Sequence, residues 1–270
     1  MHHRIKQLFN PLRPAALTAR YCWLRFKPGT SYADDFEDIA ATMLLGGVER
    51  FVDVGANNGY SCSNTALAAM RGARGLCFEP SPIDFKRLRG FYRWAKRIEC
   101  IPEGLSDTAG MVQLRCDGLL SAVTATEDVG LTNLLTGFYR HNASVISIHV
   151  DRLSAWLARR PDFAASDLLS IDVEGHELSV LRGIDWIRHP KPARCLIVET
   201  HANGKTRQWR HRDFDEIAAL LARQGYRKMA ASRNNTIWLH EEDLLDLRVR
   251  EAKTRLPHYL WFYDEHSNRS

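Results

Sequence analysis

The residues in this chain best suited to chemistry lie where short apolar runs end in acids. Phe51-Val52-Asp53-Val54 runs straight into Gly55-Ala56-Asn57-Asn58-Gly59. The apolar run reads as a buried strand, and the Gly/Asn turn feeds a helix-compatible stretch from Tyr60 to Met70. Gly55 and Gly59 would let a ligand approach the backbone closely. Asn57 stands where a third glycine would be expected and tolerates the left-handed region better than most residues. A second apolar run, Arg74 to Phe78, ends in Glu79-Pro80. An acid at the end of the second strand of a doubly wound sheet grips ribose, because a carboxylate accepts two O–H bonds at once.

The spacing also says which nucleoside ligand fits. A dinucleotide-binding turn reads G-x-G-x-x-G, and its third glycine brings the helix N-terminus up to a pyrophosphate. Here the spacing is G-x-x-x-G with Asp53 in front of it. A carboxylate is a poor neighbour for a diphosphate and a good one for an ammonium group. The expected ligand is a nucleoside with a cationic amino-acid tail, which describes S-adenosylmethionine. Taken alone, the first motif is also compatible with an ordinary strand–turn–helix.

Further along, Asp172 ends an apolar run. Glu174 and His176 follow on the strand-to-helix turn, and Glu199 and His201 sit at the next strand end. Methyl transfer from a sulfonium to a hydroxyl needs the acceptor oxygen held in line and a base within hydrogen-bond reach. Asp172 is the candidate site-orienting acid, and His201 or Glu174 the candidate base. Glu174 would serve equally as a helix N-terminal acid. Asp172, Glu174 and His176 alternate as divalent-cation ligands could, but Gly175 interrupts the geometry and H-E-x-x-H is absent. A divalent metal is therefore possible but not expected.

These acids need a scaffold that brings them together. Strand-like and helix-like segments alternate along the chain, which predicts an α/β, Rossmann-like, doubly wound, mostly parallel seven-stranded sheet. Helices cover both faces, and a terminal antiparallel hairpin runs over Tyr226–Ala231 and Thr236–His240. Ligands of such sheets bind beyond the C-terminal strand ends. Asp53, Glu79, Leu105, Asp172 and Glu199 all fall at or near those ends. A helix is expected within 31–45, closed by Gly46-Gly47, and another from Pro82 to about Lys96, capped by Ser81 with Asp84 closing the box. Strands are expected over 98–105, 111–116, 145–150, 167–173 and 194–199. Further helices should start after Asp151 and Asp213 and run over about 174–188 and 241–252.

In this order, D-V-G-A-N-N-G, F-E-P-S-P, G-L-S-D-T-A-G, S-I-D-V-E-G-H-E-L-S-V-L-R-G and L-I-V-E-T-H resemble the FkbM family of S-adenosylmethionine-dependent methyltransferases. The resemblance covers roughly residues 50 to 240. It implies that Asp53, Gly55, Asn57 and Gly59 surround the cofactor and that Glu79 holds the ribose. It places Gly104 and Leu105 beside the adenine. It also implies O-methylation of a hydroxyl on a sugar, glycan precursor or secondary metabolite.

Composition bounds the rest. The chain has 270 residues, 45% of them hydrophobic, enough for one large α/β domain. That domain is expected over 31–250, between a basic arm (1–30) and a C-terminal tail (251–270). The arm carries Arg4, Lys6, Arg13, Arg20, Arg25 and Lys27 without an acid, which suits either peripheral contact with an anionic membrane or simple packing on the domain. Residues 117–144 read as an insertion, a possible lid with Phe138, Tyr139, Arg140 and His141 its most ligand-like members. Six cysteines without C-x-x-C point to reduced, buried thiols and a cytoplasmic protein. A net charge of +5 permits an anionic acceptor but falls short of a dedicated nucleic-acid binder. A nucleic-acid methyltransferase would want an N-P-P-Y-type signature, which is missing. A nucleotide-binding domain without turnover is the other alternative. A nicotinamide oxidoreductase is disfavoured by Asp53 and the missing third-glycine spacing.

Overall fold

The computed structural model describes residues 31–116, 122–123, 144–200, 213–256 and 260–262. The basic arm, nearly all of the expected lid with its four ligand-like residues, and His201 lie outside the described residues, as does most of the tail.

The main sheet is built from β1 (Arg50–Val54), β2 (Arg74–Phe78), β3 (Ile98–Ile101), β8 (Ser166–Ile171), β9 (Ala193–Glu199), β10 (Tyr226–Ala231) and β11 (Asn235–His240). The two-residue β12 (Trp261–Phe262) adds an edge. The strand order is β12-β10-β11-β9-β8-β1-β2-β3. Strands β3, β2, β1, β8 and β9 pair in parallel, while β11 enters antiparallel between β9 and β10. This is the expected mostly parallel seven-stranded sheet with its hairpin, plus one short strand from the segment expected as a tail.

Order reverses between β1 and β8, and the helices divide accordingly. On one face, α1 (Glu37–Leu45), α2 (Ala66–Met70), α3 (Pro82–Phe91) and α7 (Asp246–Arg255) pack through Ala40, Leu44, Ala68, Leu88 and Ala252 against Phe51 and Cys77. On the other, α4 (Leu153–Arg159), α5 (Glu177–Arg182) and α6 (Phe214–Arg223) pack through Leu157, Leu181 and Leu221 against Val52, Val54 and Leu76. Alternate residues of β1 thus serve opposite cores, as a strand period of two requires.

Several local signals act as the sequence indicates. Gly46, at φ +74°, closes α1, its N–H bonding to the Met43 carbonyl. Ser81 caps α3 with Pro82 at the first position. Others differ. Only Ala66–Met70 of the 60–70 stretch is helical, because Asn57 and Cys62 take positive φ and break the first turns. The expected third strand divides at Pro102-Glu103 into β3 and the short β4 (Gly104–Leu105). Asp151 does not cap α4 and instead accepts from Arg159 at its far end. The expected 174–188 helix is confined to α5, because Glu174 and Gly175 take positive φ and precede it.

The strands expected over 111–116 and 145–150 leave the main sheet. Strands β5 (Gly110–Cys116), β6 (Ala122–Val123) and β7 (Ser144–Asp151) join β4 in a second, four-stranded sheet. This small sheet stands beside Pro80: a methyl added at Gly104 would meet Val150 at 3.0 Å and Pro80 at 3.6 Å. The five described cysteines are unbridged, and Cys62, contrary to expectation, is exposed. Among the described residues, no helix is long and apolar enough to cross a membrane.

Candidate active site

The C-terminal ends of β1, β2, β8 and β9 meet in one place. Gly55, at φ +87°, is crowded by the chain itself. A Cβ there would lie 1.8 Å from the Asp172 carbonyl oxygen, so the first turn and the end of β8 touch backbone to backbone. Gly59, at φ +82°, leaves room for Tyr92 and Leu88, and the Tyr92 hydroxyl donates to the Gly59 carbonyl at 2.9 Å. The immediate need for both glycines is therefore packing within the protein. Asn57 adopts φ +47°, as its type allows.

Asp53 lies under this turn, 5% exposed, on the α1/α2 face of the sheet. The Thr65 hydroxyl donates to it at 2.6 Å, and burial pushes its carboxyl up to about 6. Its register partner on β8 is Ser170, whose hydroxyl accepts from the Asn64 amide at 3.3 Å. The Asn64 amide oxygen is buried with no partner among the described residues. Sequence reasoning did not single out Asn64 or Ser170, since isolated polar residues in apolar runs give little signal until their register is known.

Glu79 is also buried. One of its oxygens accepts the Asn57 N–H at 2.8 Å and the other the Ser81 N–H at 2.7 Å. Burial is the main reason its carboxyl is pushed up to about 7, with Asp84 and Asp53 adding to the effect. The two amides fix the carboxylate between the first turn and the start of α3, leaving each oxygen a second lone pair. Because Ser81 spends its N–H on Glu79, Asp84 closes the capping box differently from expectation: it accepts from the Ser81 hydroxyl at 2.9 Å.

Asp172, Glu174 and Glu199 bring carboxylate oxygens within 4.8 Å of one another. Glu174 reaches this cluster because its backbone takes φ +54°, an uncommon conformation for a side-chain-bearing residue. The fully buried Glu177 secures the turn by accepting the Val173 N–H at 3.0 Å and the Gly175 N–H at 3.1 Å. Burial, then the charges of Glu199, Glu174 and Glu177, hold Asp172 well above the usual carboxylate range, and Asp172 shares a hydrogen bond with Glu199. Glu174 is raised in the same sense by burial, then by Glu199 and Glu177. Three crowded carboxyls cannot all ionise, so the cluster takes up a proton or a cation. Hard oxygen ligands of this kind suit magnesium, calcium or manganese.

His176 does not join the cluster, which corrects its grouping with Asp172 and Glu174. Its Nε2 lies 2.9 Å from the Ser106 hydroxyl, and burial lowers its affinity for a proton. It ties the start of α5 to the residue after β4. Leu105, expected beside an adenine, buries its side chain in the core with Val54 and Leu76, and the main chain of β4 pairs with β7. Gly104 and Leu105 thus form the wall from which Ser106 and Asp107 emerge.

A mostly parallel sheet with a reversed strand before its last, a small-residue turn after β1 and an acid after β2 define a Rossmann-like α/β fold. Residues 53–228 match the methyltransferase FkbM domain model, and the chain belongs to this family of methyltransferases. No curated protein sequence matches the chain. Among solved structures it is similar to the methyltransferase FkbM from Methylobacillus flagellatus KT, with 19% identity and a TM-score of 0.45, over 71% of this chain and 43% of that one. The chain therefore spans less than half of that protein's length. It is also similar to the O-methyltransferase TomG from Streptomyces achromogenes, involved in tomaymycin synthesis and solved with SAM. There the identity is 11% and the TM-score 0.45, over 84% of this chain and 89% of that one. An O-methyltransferase from Bacillus cereus in complex with SAH shows 10% identity and a TM-score of 0.40, covering 87% and 96% respectively.

Proposed function

We propose that this methyltransferase uses S-adenosylmethionine to methylate a hydroxyl group on a sugar, glycan precursor or secondary metabolite. The observation that carries the reading is the pair of buried carboxyls, Asp53 and Glu79, beside a turn with little spare donor capacity. The Asn57 N–H is already given to Glu79, and the Gly55 and Ala56 N–H groups go to the Phe78 carbonyl. A diphosphate would meet two acids and few donors there, whereas a cationic amino-acid tail and a ribose diol meet acceptors. In this reading Asp53 faces the ammonium group, Glu79 holds the ribose, and the Gly55–Gly59 turn shapes the wall between them.

S-adenosylmethionine supplies an activated methyl group when bound. The chain must orient the acceptor hydroxyl, remove its proton and exclude water. The Asp172–Glu174–Glu199 cluster is suited to proton removal, because a carboxylate whose proton affinity is raised by burial and neighbouring acids is a stronger base than an exposed one. Asp172, hydrogen-bonded to Glu199, orients the site; Glu174, on its strained turn, is the candidate base. His201, the alternative base expected from the sequence, lies outside the described residues. A divalent cation in the cluster is the competing reading, and chelation separates the two.

Calorimetric titration of the full chain with S-adenosylhomocysteine tests the cofactor assignment. Binding should be saturable and lost in Asp53→Ala. Unchanged affinity in that variant would remove the ammonium contact. Incubation with labelled S-adenosylmethionine and cell extract, followed by mass analysis, identifies the acceptor. Label in nucleic acid would overturn the hydroxyl-bearing small-molecule or glycan assignment.

A further inference from the structure

The opposite edge of the main sheet carries a second concentration of charge. Arg50 opens β1, Arg74 opens β2 and Arg97 immediately precedes β3. Parallel pairing sets Arg50 directly opposite Arg74, and the Gly75 N–H bonds to the Arg97 carbonyl. Arg71, at the end of α2, joins them around an open cleft of about 430 Å³ that also includes Glu49 and Gly72. Gly72, at φ +94°, leaves open space in which even a methyl group would meet nothing within 4 Å.

Like charges directly opposite on neighbouring strands cost stability, and this row is only partly compensated. Arg74 pairs with Asp162 at 2.6 Å, and Arg97 donates to the Gly72 carbonyl at 3.0 Å. Arg50 Nε is buried with no partner among the described residues. Among the described residues Glu49 is the only acid lining the cleft, and beside it Asp167 accepts the Glu49 and Arg50 N–H groups at 2.8 and 3.0 Å. Four arginines lining one cavity, one with an unmet donor, suit an anion with several oxygens, because the planar guanidinium fork binds phosphate oxygens in pairs.

We propose that this cleft is a binding site for a phosphate-bearing group, best matched by a diphosphate or a phosphorylated headgroup. It is separate from the methyl-transfer site: β1 has five residues, so its ends stand roughly 13 Å apart. The turn that carries Arg97 also exposes Trp94, 60% accessible, with the Arg93 guanidinium 4.9 Å from its ring. An exposed tryptophan among arginines is suited to a headgroup layer as well as to a free ligand.

The test titrates the full chain with inorganic pyrophosphate by calorimetry, and separately measures co-sedimentation with phosphatidylglycerol and phosphatidylcholine vesicles. The test variant is Arg71→Gln/Arg97→Gln, both exposed positions, with melting curves and S-adenosylhomocysteine binding as fold controls. The control variant, Arg188→Gln/Arg250→Gln, removes the same charge elsewhere. Saturable pyrophosphate binding that weakens about tenfold or more in the test variant and not in the control supports the site as one for a soluble phosphate ester. Binding confined to phosphatidylglycerol vesicles, with the same dependence on the two variants, supports it as a headgroup site. Saturable binding to neither probe, or equal losses in both variants, overturns it.

Discussion

The two ends of the parallel strands carry opposite charge, and they handle it differently. At the C-terminal ends, Asp172, Glu174 and Glu199 crowd together, and burial lets Asp172 and Glu174 relieve the repulsion by keeping protons. At the N-terminal ends, Arg50, Arg71, Arg74 and Arg97 line one cleft, but a guanidinium cannot discharge itself in this way. Among the described residues its row is relieved by Asp162 on Arg74, by Glu49 in the cleft lining and by Asp167 at the Arg50 N–H. One edge is a set of groups whose charge can change by taking up protons. The other is a fixed field. Proton transfer suits the first and static recognition of an anion suits the second.

The largest way to break this contrast is to remove the acid at its centre. Asp172→Asn should lower transfer of labelled methyl groups by roughly 10²- to 10⁴-fold, the usual range for lost acid–base function, while S-adenosylhomocysteine still binds. Activity within a few-fold of the parent would remove Asp172 from the chemistry. Next comes Gly55→Ala. Its Cβ would overlap the Asp172 carbonyl and its φ of +87° disfavours any side chain. A loss of about 3 kcal/mol or more, or failure to fold, is expected in denaturant unfolding. An alanine variant as stable as the parent would show that β1 and β8 can part without penalty.

Titration separates the edges further. Asp53 rises from 3.8 to about 6 and Glu79 from 4.5 to about 7, both chiefly through burial. Both carboxyls hold a proton more tightly when folded. Their contribution to stability is therefore complete below the unfolded values and is lost as pH rises through about 6 and 7. The ligand-free protein should melt at a higher temperature at pH 5 than at pH 8. Binding of a cationic tail needs Asp53 ionised, so the affinity for S-adenosylhomocysteine should run the other way, rising about tenfold from pH 5 to pH 7. A flat affinity profile would detach Asp53 from the ligand. Chelation tests how the acidic edge is neutralised: with a shared proton, activity should survive EDTA, whereas loss restored by magnesium would replace the proton with a cation.

Much of the acidic edge was legible in the sequence, because apolar runs ending in Asp53, Glu79, Asp172 and Glu199 announce strand ends. The strand–helix alternation gave the sheet for the same reason. Two kinds of feature were not legible. One depends on register: that Ser170 and Asn64 meet beside Asp53, or that Arg50 faces Arg74, needs pairing that no local pattern encodes. The other depends on backbone sign. Glu174 enters the cluster and His176 leaves it because the turn between β8 and α5 passes through positive φ at Glu174 and Gly175. The second sheet was missed as a unit because β4 and β7 pair in parallel across a long insertion.

The smallest expected effect bears most directly on why the arginine row exists. Arg50 lies opposite Arg74 and carries a buried Nε with no partner among the described residues; Asp167 accepts its backbone N–H at 3.0 Å but gives its other oxygen to Arg194. If the row served the fold, replacing Arg50 would cost stability. If it serves a ligand, Arg50→Thr keeps a good strand former, removes the like-charge pair and the unmet donor, and should stabilise the protein by about 0.2–1 kcal/mol. The gain should shrink as salt screens the repulsion that Arg50 contributes. Denaturant unfolding at low and high salt measures both parts. A destabilised variant, or a gain indifferent to salt, would make Arg50 a structural residue and leave the proposed anion site to Arg71, Arg74 and Arg97.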